Sequence, residues 1–331
     1  MAVCIPARNE AAALPALLAG LACQTRPVAI CLFLDDCRDG SAALLAAAAP
    51  GLPHPLHVAQ GPATPGANAG RARAAAMALG EAALGPAPGL LLTTDADSVP
   101  APGWAAAMAE GLAAADVVAG RIRRRGTRPA PLQDRIEAYY DRLFTLRRRI
   151  DPVPWEAAAT HHHSGGANLG FRSAAYRAAG GFAPLAAGED ARIVDDAARA
   201  GLRVRRDAAA VVVTSDRRQG RAAGGLATAL AALDGEGPAA VTVAHPADAA
   251  WQYRMHAAAR SAWAEGAPAR IAAAIGLTAA HAIGVARDCP NAEAFAMRVV
   301  PVPPGGMRQV PLPVAEALLT ALHPAAAPVA A

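Results

Sequence analysis

The sequence predicts an α/β protein with a mostly parallel central sheet, helices on both faces and a helical C-terminal extension. Two observations predict it. Over the first 120 residues, short apolar runs alternate with helical stretches, the rhythm of a sheet wound with crossover helices. Three clusters that carry acidic side chains, at residues 6–10, 35–40 and 95–97, each follow directly on an apolar run. Ligands of open α/β sheets bind at strand carboxyl ends, so these clusters are expected to meet in one crevice.

Taken in order, residues 3–6 form the first strand and 10–22 the first helix. A strand at 28–34 is followed by a helix through 41–49, and a strand at 56–59 by a helix around 70–79. The run 90–94 is a short buried strand, with a helix after Gly103-Trp104 and another strand at 117–122. Residues 132–149 then read as one long helix with an arginine-rich end, and 151–163 as a Pro/His-rich loop. A further strand and helix follow Gly165-Gly166-Ala167-Asn168, and a strand is expected at 211–214. From residue 225 onward the chain reads as helical and loop-rich, with a frayed Ala/Pro tail. Two domains are therefore expected, 1–225 and 226–331.

The 331 residues suffice for a substantial core. Alanine dominates and every Lys/Arg position is arginine, the mark of a GC-rich genome, so alanine content alone argues weakly for helix. A net charge of +4 fits anionic ligands but is too small to imply nucleic acid. Aromatics are too scarce for base-stacking platforms. Five cysteines without metal spacing predict reduced thiols and a cytoplasmic protein. The N-terminus enters an apolar strand with no leader pattern. The longest apolar stretch, 271–286, is too short to span a bilayer, so no integral membrane segment is expected. The basic runs 121–128 and 147–149 read first as solvated faces, and second as peripheral contacts with an anionic membrane surface.

The chemistry begins at Asp95-Ala96-Asp97. Side chains two apart on an extended chain face the same way, so the two carboxylates converge at a strand end. Hard oxygen ligands there suit Mg²⁺ or Mn²⁺ that also grips a phosphate. Such a triplet alone is common turn chemistry, and its company decides the matter. That company is Ile5-Pro6-Ala7-Arg8-Asn9-Glu10, Leu34-Asp35-Asp36-Cys37-Arg38-Asp39-Gly40-Ser41, Gly165-Gly166-Ala167-Asn168 with Tyr176 and Gly180-Gly181-Phe182, and Gly188-Glu189-Asp190.

In these residues, over roughly 2–225, the chain resembles a family 2 glycosyltransferase of the GT-A fold, inverting and non-processive. The resemblance implies a nucleotide-sugar donor, UDP-linked by preference, and a hydroxyl acceptor that is a small molecule, a glycan or a lipid-linked group. It places Pro6, Ala7, Arg8 and Glu10 around uracil and ribose, with Asp35 reading the base and Asp36 beside it. A basic residue on the nucleotide side falls to Arg71, or equally to Arg73. Asp97 would ligate the metal, with Asp95 on ribose or a metal-bound water. Asp190, the aspartate of the Glu-Asp pair, would take the acceptor's proton. Gly166, Asn168 and Glu189 join it at the acceptor side.

Ser215-Asp216-Arg217-Arg218-Gln219-Gly220-Arg221 follows the last strand, and Arg217 and Arg221 are candidates to fold over the diphosphate in bidentate fashion. Adjacent histidines at 161–163 cannot easily turn to one ion and lack a cysteine partner; they read as an acceptor loop in which His163 touches substrate. Asp39 reads as turn chemistry, and Asp195 and Asp196 as a solvated face. Trp251, Tyr253, Arg254 and Trp263 read as packing residues. Two other readings stay open: a retaining transferase of the glycerate type, and a non-catalytic nucleotide- or sugar-binding relative.

Overall fold

The computed structural model describes residues 1–61, 68–220 and 224–322. Its chain divides into two compact units. The first holds Met1–Pro129, Trp155–Ala159 and His163–Ala231, and the second Ala130–Pro154, Thr160–His162 and Ala232–Ala331. The long helix foreseen at 132–149 thus groups with the C-terminal part of the chain.

The first unit opens with β1 (Ala2–Ala7), α1 (Leu14–Ala22), β2 (Ala29–Asp35), α2 (Ser41–Ala48), β3 (Leu56–Gly61), α3 (Ala69–Leu84), β4 (Leu90–Thr93), β5 (Val99–Pro100), α4 (Trp104–Ala114) and β6 (Val117–Arg124). After α5 (Pro131–Ile150), which belongs to the second unit, it resumes with β7 (Leu169–Arg172), α6 (Ser173–Ala178), α7 (Glu189–Arg199) and β8 (Val204–Thr214). These strands form one eight-stranded sheet in the order β3-β2-β1-β4-β7-β6-β8-β5. Neighbours β3, β2, β1 and β4 are parallel, as are β6 and β8, whereas β7 runs antiparallel to both β4 and β6.

Both faces of the sheet's centre are covered, which is why β1, β2 and β4 are almost wholly apolar rather than alternating with polar residues. Val3, Ile5 and Ala7 of β1 enter one core with Leu14, Leu17 and Leu21 of α1 and Trp104 and Met108 of α4. Ala2 and Cys4, on the opposite face, pack with Ala76 and Met77 of α3 and with Phe171, Tyr176, Phe182 and Ile193. Trp104 is fully buried; truncating such a side chain costs about 3–5 kcal/mol.

Several elements differ from the sequence expectation. α1 starts four residues late because Glu10 through Ala13 form a turn, with the Glu10 carbonyl accepting from Ala13 and Leu14. β8 begins at Val204 rather than 211. Its first half carries Arg205, Arg206 and Asp207, whose charges hid it; Arg205 pairs with Asp207 at 2.9 Å and donates to the Trp155 carbonyl at 2.8 Å. Between Gly120 and Arg121 the β6–β8 register jumps from Asp207 to Val211, so residues 208–210 bulge out.

The chain passes from the first unit to the second within α8 (Leu226–Leu233). The second unit then contains β9 (Thr242–Ala244), α9 (Pro246–Ala264), α10 (Ala279–Arg287), α11 (Ala292–Val299), β10 (Gln309–Pro311) and α12 (Leu312–Leu322). The β9–β10 antiparallel pair adds to the helical and loop-rich expectation; each strand has only three residues. Trp251 and Trp263 pack on a core of Ile271, Phe295 and Val299, and Tyr253 on one formed by α5, α9 and α12. These three pack as expected, whereas Arg254, read with them, is exposed. Among the described residues no helix is long and apolar enough to cross a membrane.

Candidate active site

Because β1, β2, β4, β6 and β8 all point the same way, their carboxyl ends line one edge of the sheet. The reversed strand β7 brings its amino end, and with it Gly165–Asn168, to that same edge. Sequence-distant motifs meet there through backbone direction alone.

The turns after β1 and β2 are tied to each other. Asn9 and Asp36 both adopt positive φ, 54° and 47°, a conformation that short polar side chains tolerate. Arg8 forks to Asp35 Oδ2 and Asp36 Oδ2, each at 3.2 Å. The Cys37 thiol accepts from the Asn9 N–H and donates to the Ala7 carbonyl, both at 3.3 Å. Asp39 accepts from the Ala11 and Ser41 N–H groups at 2.9 and 3.0 Å, which makes it a loop fastener. Ala7 is buried in the core, so only its main chain is presented at this turn, while Pro6 is half-buried.

Arg73, one of the two basic candidates, is the hub of the site. It is buried, and it donates to Asp95 Oδ1 at 2.8 Å, Glu189 Oε1 at 3.2 Å, Thr93 Oγ1 at 3.1 Å and the Gly166 carbonyl at 3.0 Å. The Phe182 ring lies 5.6 Å from its guanidinium carbon. A Cβ at position 166 would sit 2.5 Å from that carbon, so the glycine there is what admits the arginine. Arg71, the other candidate, is exposed; its N–H is capped by Asn68 Oδ1 at 2.8 Å. Two residues along a helix rotate the side chain by about 200°, which turns Arg73 inward and Arg71 outward.

Asp190 follows Glu189 at the start of α7, after Gly188 at φ 78°. Its carboxylate accepts from the Gly166 N–H at 2.8 Å and from the Ala191 N–H at 2.7 Å. Burial pushes the neighbouring Glu189 carboxyl up; Arg73 opposes the shift and the Asp190 charge adds to it. Asp190 and Asp95 are thus joined through Glu189 and Arg73.

On the other side of Asp95 lies Asp97. Burial, then the repulsion of Asp95, raises its carboxyl to about 6 against the pull of Arg217, with Glu10 adding to the rise. Arg217 grips Glu10 with both ends of its fork, at 2.9 and 2.7 Å, and reaches Asp97 Oδ2 at 3.1 Å. Arg221 lies outside the described residues.

Of the acceptor candidates, Asn168 has its side chain bonded within the fold. Asn168 is buried, and its amide donates to the Arg121 and Ala210 carbonyls at 2.8 and 2.9 Å while accepting from Trp104 Nε1 at 2.7 Å. It seals the β6–β8 bulge; a Cβ on Gly120 would lie 2.4 Å from its side-chain nitrogen. His163 is half-buried on the segment leading to Gly165-Gly166. Asp195 and Asp196 pair with Arg199 and Arg192 one turn away on the outer face of α7, as a solvated face does.

The charge balance of the cluster suits a divalent cation. Five carboxylates, of Glu10, Asp95, Asp97, Glu189 and Asp190, face two guanidiniums, of Arg73 and Arg217. The ligand set is all oxygen, as Mg²⁺ and Mn²⁺ require.

Comparison with known proteins agrees with the fold. No curated protein matches the chain in sequence. Among solved structures, Staphylococcus aureus TarS residues 1–349 in complex with UDP-GlcNAc superposes with a TM-score of 0.52 at 15% identity, covering 89% of this chain and 88% of that one. The chain covers only 35% of a longer TarS structure. The mannosyltransferase PcManGT from Pyrobaculum calidifontis, in complex with GDP-Man and Mn²⁺, aligns at 18% identity and a TM-score of 0.48, covering 98% and 75%. The shared fold is the GT-A fold that the order of motifs implied. Residues 2–177, more than half of the chain, match the family described as Glycosyl transferase family 2, and the protein therefore belongs to that family and is a glycosyltransferase.

Proposed function

We propose that the protein moves a sugar from a nucleotide-sugar donor, a UDP-sugar by preference, to a hydroxyl acceptor in a single displacement with inversion. The observation that carries this reading is the Arg73 bridge. It holds a donor-side carboxylate, Asp95, and the residue preceding Asp190 at fixed separation on one sheet edge. A base and a leaving-group site held apart in this way suit a displacement in which the acceptor attacks opposite the leaving group.

In this scheme Asp190 removes the acceptor hydroxyl proton, its carboxylate aimed by the Gly166 and Ala191 N–H groups. The loop pair 8–10 and 35–36 holds the nucleoside. Asp97 and Asp95 are the residues that would hold Mg²⁺ or Mn²⁺, which when bound neutralises charge on the departing nucleoside diphosphate. Glycosyl transfer is assigned to residues 1–225, with 226–331 as an extension. The UDP preference is supported by the TarS fold match, whose ligand is UDP-GlcNAc.

The experiment is a thermal-shift panel of UDP-, GDP- and dTDP-sugars with and without Mn²⁺, followed by NMR of the product's anomeric configuration. The preferred base stabilises the fold by mass action, and Mn²⁺ is expected to deepen that shift. A product that keeps the donor's configuration overturns inversion. Full transfer by Asp97→Asn removes the cation site.

A further inference from the structure

Asp97, assigned to a cation, is already engaged. Arg217 closes a two-point fork on Glu10 and a third contact on Asp97. Side-chain exposure is only 8% for Glu10 and 15% for Asp97, so these charges have little water to screen them. Without a positive partner, Glu10, Asp95 and Asp97 would repel one another at the mouth of the sheet. The guanidinium supplies that partner.

The loop carrying Arg217 is anchored one residue earlier. Asp216 is buried, and it accepts from Thr127 Oγ1 at 2.6 Å and from the Arg128 N–H at 2.8 Å. Arg218 folds back to the Asp216 carbonyl at 2.6 Å and to that of Pro129 at 3.2 Å. The main chain on either side is therefore held, and the free coordinate is the Arg217 side chain itself, which is 31% exposed. A guanidinium on a fixed pivot can change partners without moving the loop.

We propose that Arg217 is a placeholder cation: it neutralises Glu10 and Asp97 in the donor-free protein and competes with a divalent ion for Asp97. When the ion is held, Arg217 swings about the Asp216 anchor to pair with the donor's diphosphate oxygens. The inference rests on the reading of Asp97 as a cation ligand. It adds a consequence that reading does not contain. Because one side chain serves both partners in turn, the diphosphate favours cation binding by giving Arg217 somewhere else to go, and linkage makes that coupling reciprocal. The planar fork fits two phosphate oxygens as well as it fits a carboxylate.

The test uses the full chain with Mn²⁺ alone, read by the electron paramagnetic resonance signal of the free ion, and with UDP at saturating Mn²⁺, read by calorimetry. Arg217→Gln is expected to bind Mn²⁺ about 5–150-fold tighter than wild type, the usual range for coupled sites, while binding UDP more weakly. Opposite signs are the signature, since a merely structural role weakens both. Arg217→Lys, which keeps the charge, is expected to hold Mn²⁺ affinity near wild type and guards against misfolding of the first variant. Unchanged or weaker Mn²⁺ binding in Arg217→Gln, with Asp97→Asn losing the ion, overturns the placeholder while leaving the cation site standing. Wild-type Mn²⁺ binding by Asp97→Asn, or none by any form, removes the cation site and the placeholder with it.

Discussion

Arg73, buried in the first unit, and Arg260, half-buried in the second, are both arginines clamped between two carboxylates, yet they sit in different electrostatic company. Arg260 donates to Asp151 and to both oxygens of Glu293, at 2.8 and 3.0 Å, with Arg148 3.9 Å from Asp151. Two positive groups meet two negative ones, and the network fastens α5, α9 and α11 together. Arg73 joins Asp95 and Glu189 in a cluster whose carboxylates outnumber its guanidiniums. A buried ion pair is therefore not itself the mark of a site. An uncompensated surplus of one sign, gathered where strands end, is.

The sharpest way to break this contrast is at the base. Asp190→Asn is expected to lower kcat by about 10²–10⁴-fold with donor affinity nearly unchanged, measured by steady-state transfer and calorimetry. Near-normal kcat would take Asp190 out of the chemistry.

The two arginines come next. Arg73→Met and Arg260→Met each leave carboxylates buried without their partner, so each is expected to cost about 3–5 kcal/mol of stability in urea unfolding. They should part in function: the folded fraction of Arg260→Met keeps its kcat, whereas Arg73→Met loses it. Equal catalytic loss in both would erase the distinction.

Asp97 gives a pH test of the surplus. Its folded pKa of about 6 stands above the unfolded value of about 3.9. The folded state therefore holds a proton that the unfolded chain releases. The associated stability is fully present below pH ~4 and lost as pH rises through ~6, by about 3 kcal/mol. Urea unfolding in chelator between pH 4 and 7 should show this decline, and Asp97→Asn should flatten it. A slope unchanged by the substitution would show that the charge surplus is relieved elsewhere.

The smallest effect is expected at Arg71. Exposed and capped only through its main chain, its replacement by alanine should alter stability by less than about 0.5 kcal/mol and leave donor affinity alone.

Much of this architecture was legible before any coordinates. The apolar runs of β1, β2 and β4 announced buried parallel strands, and the acid-rich turns after them announced the edge where they meet. Three things were harder to see. Strand direction leaves no trace in hydropathy, so β7 gave no sign of running backward. Charged residues that find partners in the fold, such as Arg205 and Asp207, disguised half of β8. The roles of Arg71 and Arg73 depend on two residues of helical phase, finer than an alanine-rich segment can set when nearly every face reads as apolar. Asn168 illustrates the converse: a motif asparagine expected at the acceptor side has its amide bonded to the β6–β8 bulge.

The reversal of β7 has an evolutionary corollary. Every parallel strand delivers its outgoing loop to the reactive edge, but β7 delivers its incoming one, with Gly166 docked on Arg73 as a fixed terminus. In the scheme proposed above, the residues just ahead of that glycine lie on the acceptor side and belong to a different connection from the turns after β1 and β2. A change of sugar recipient would then fall on a stretch separate from the one that holds the activated sugar.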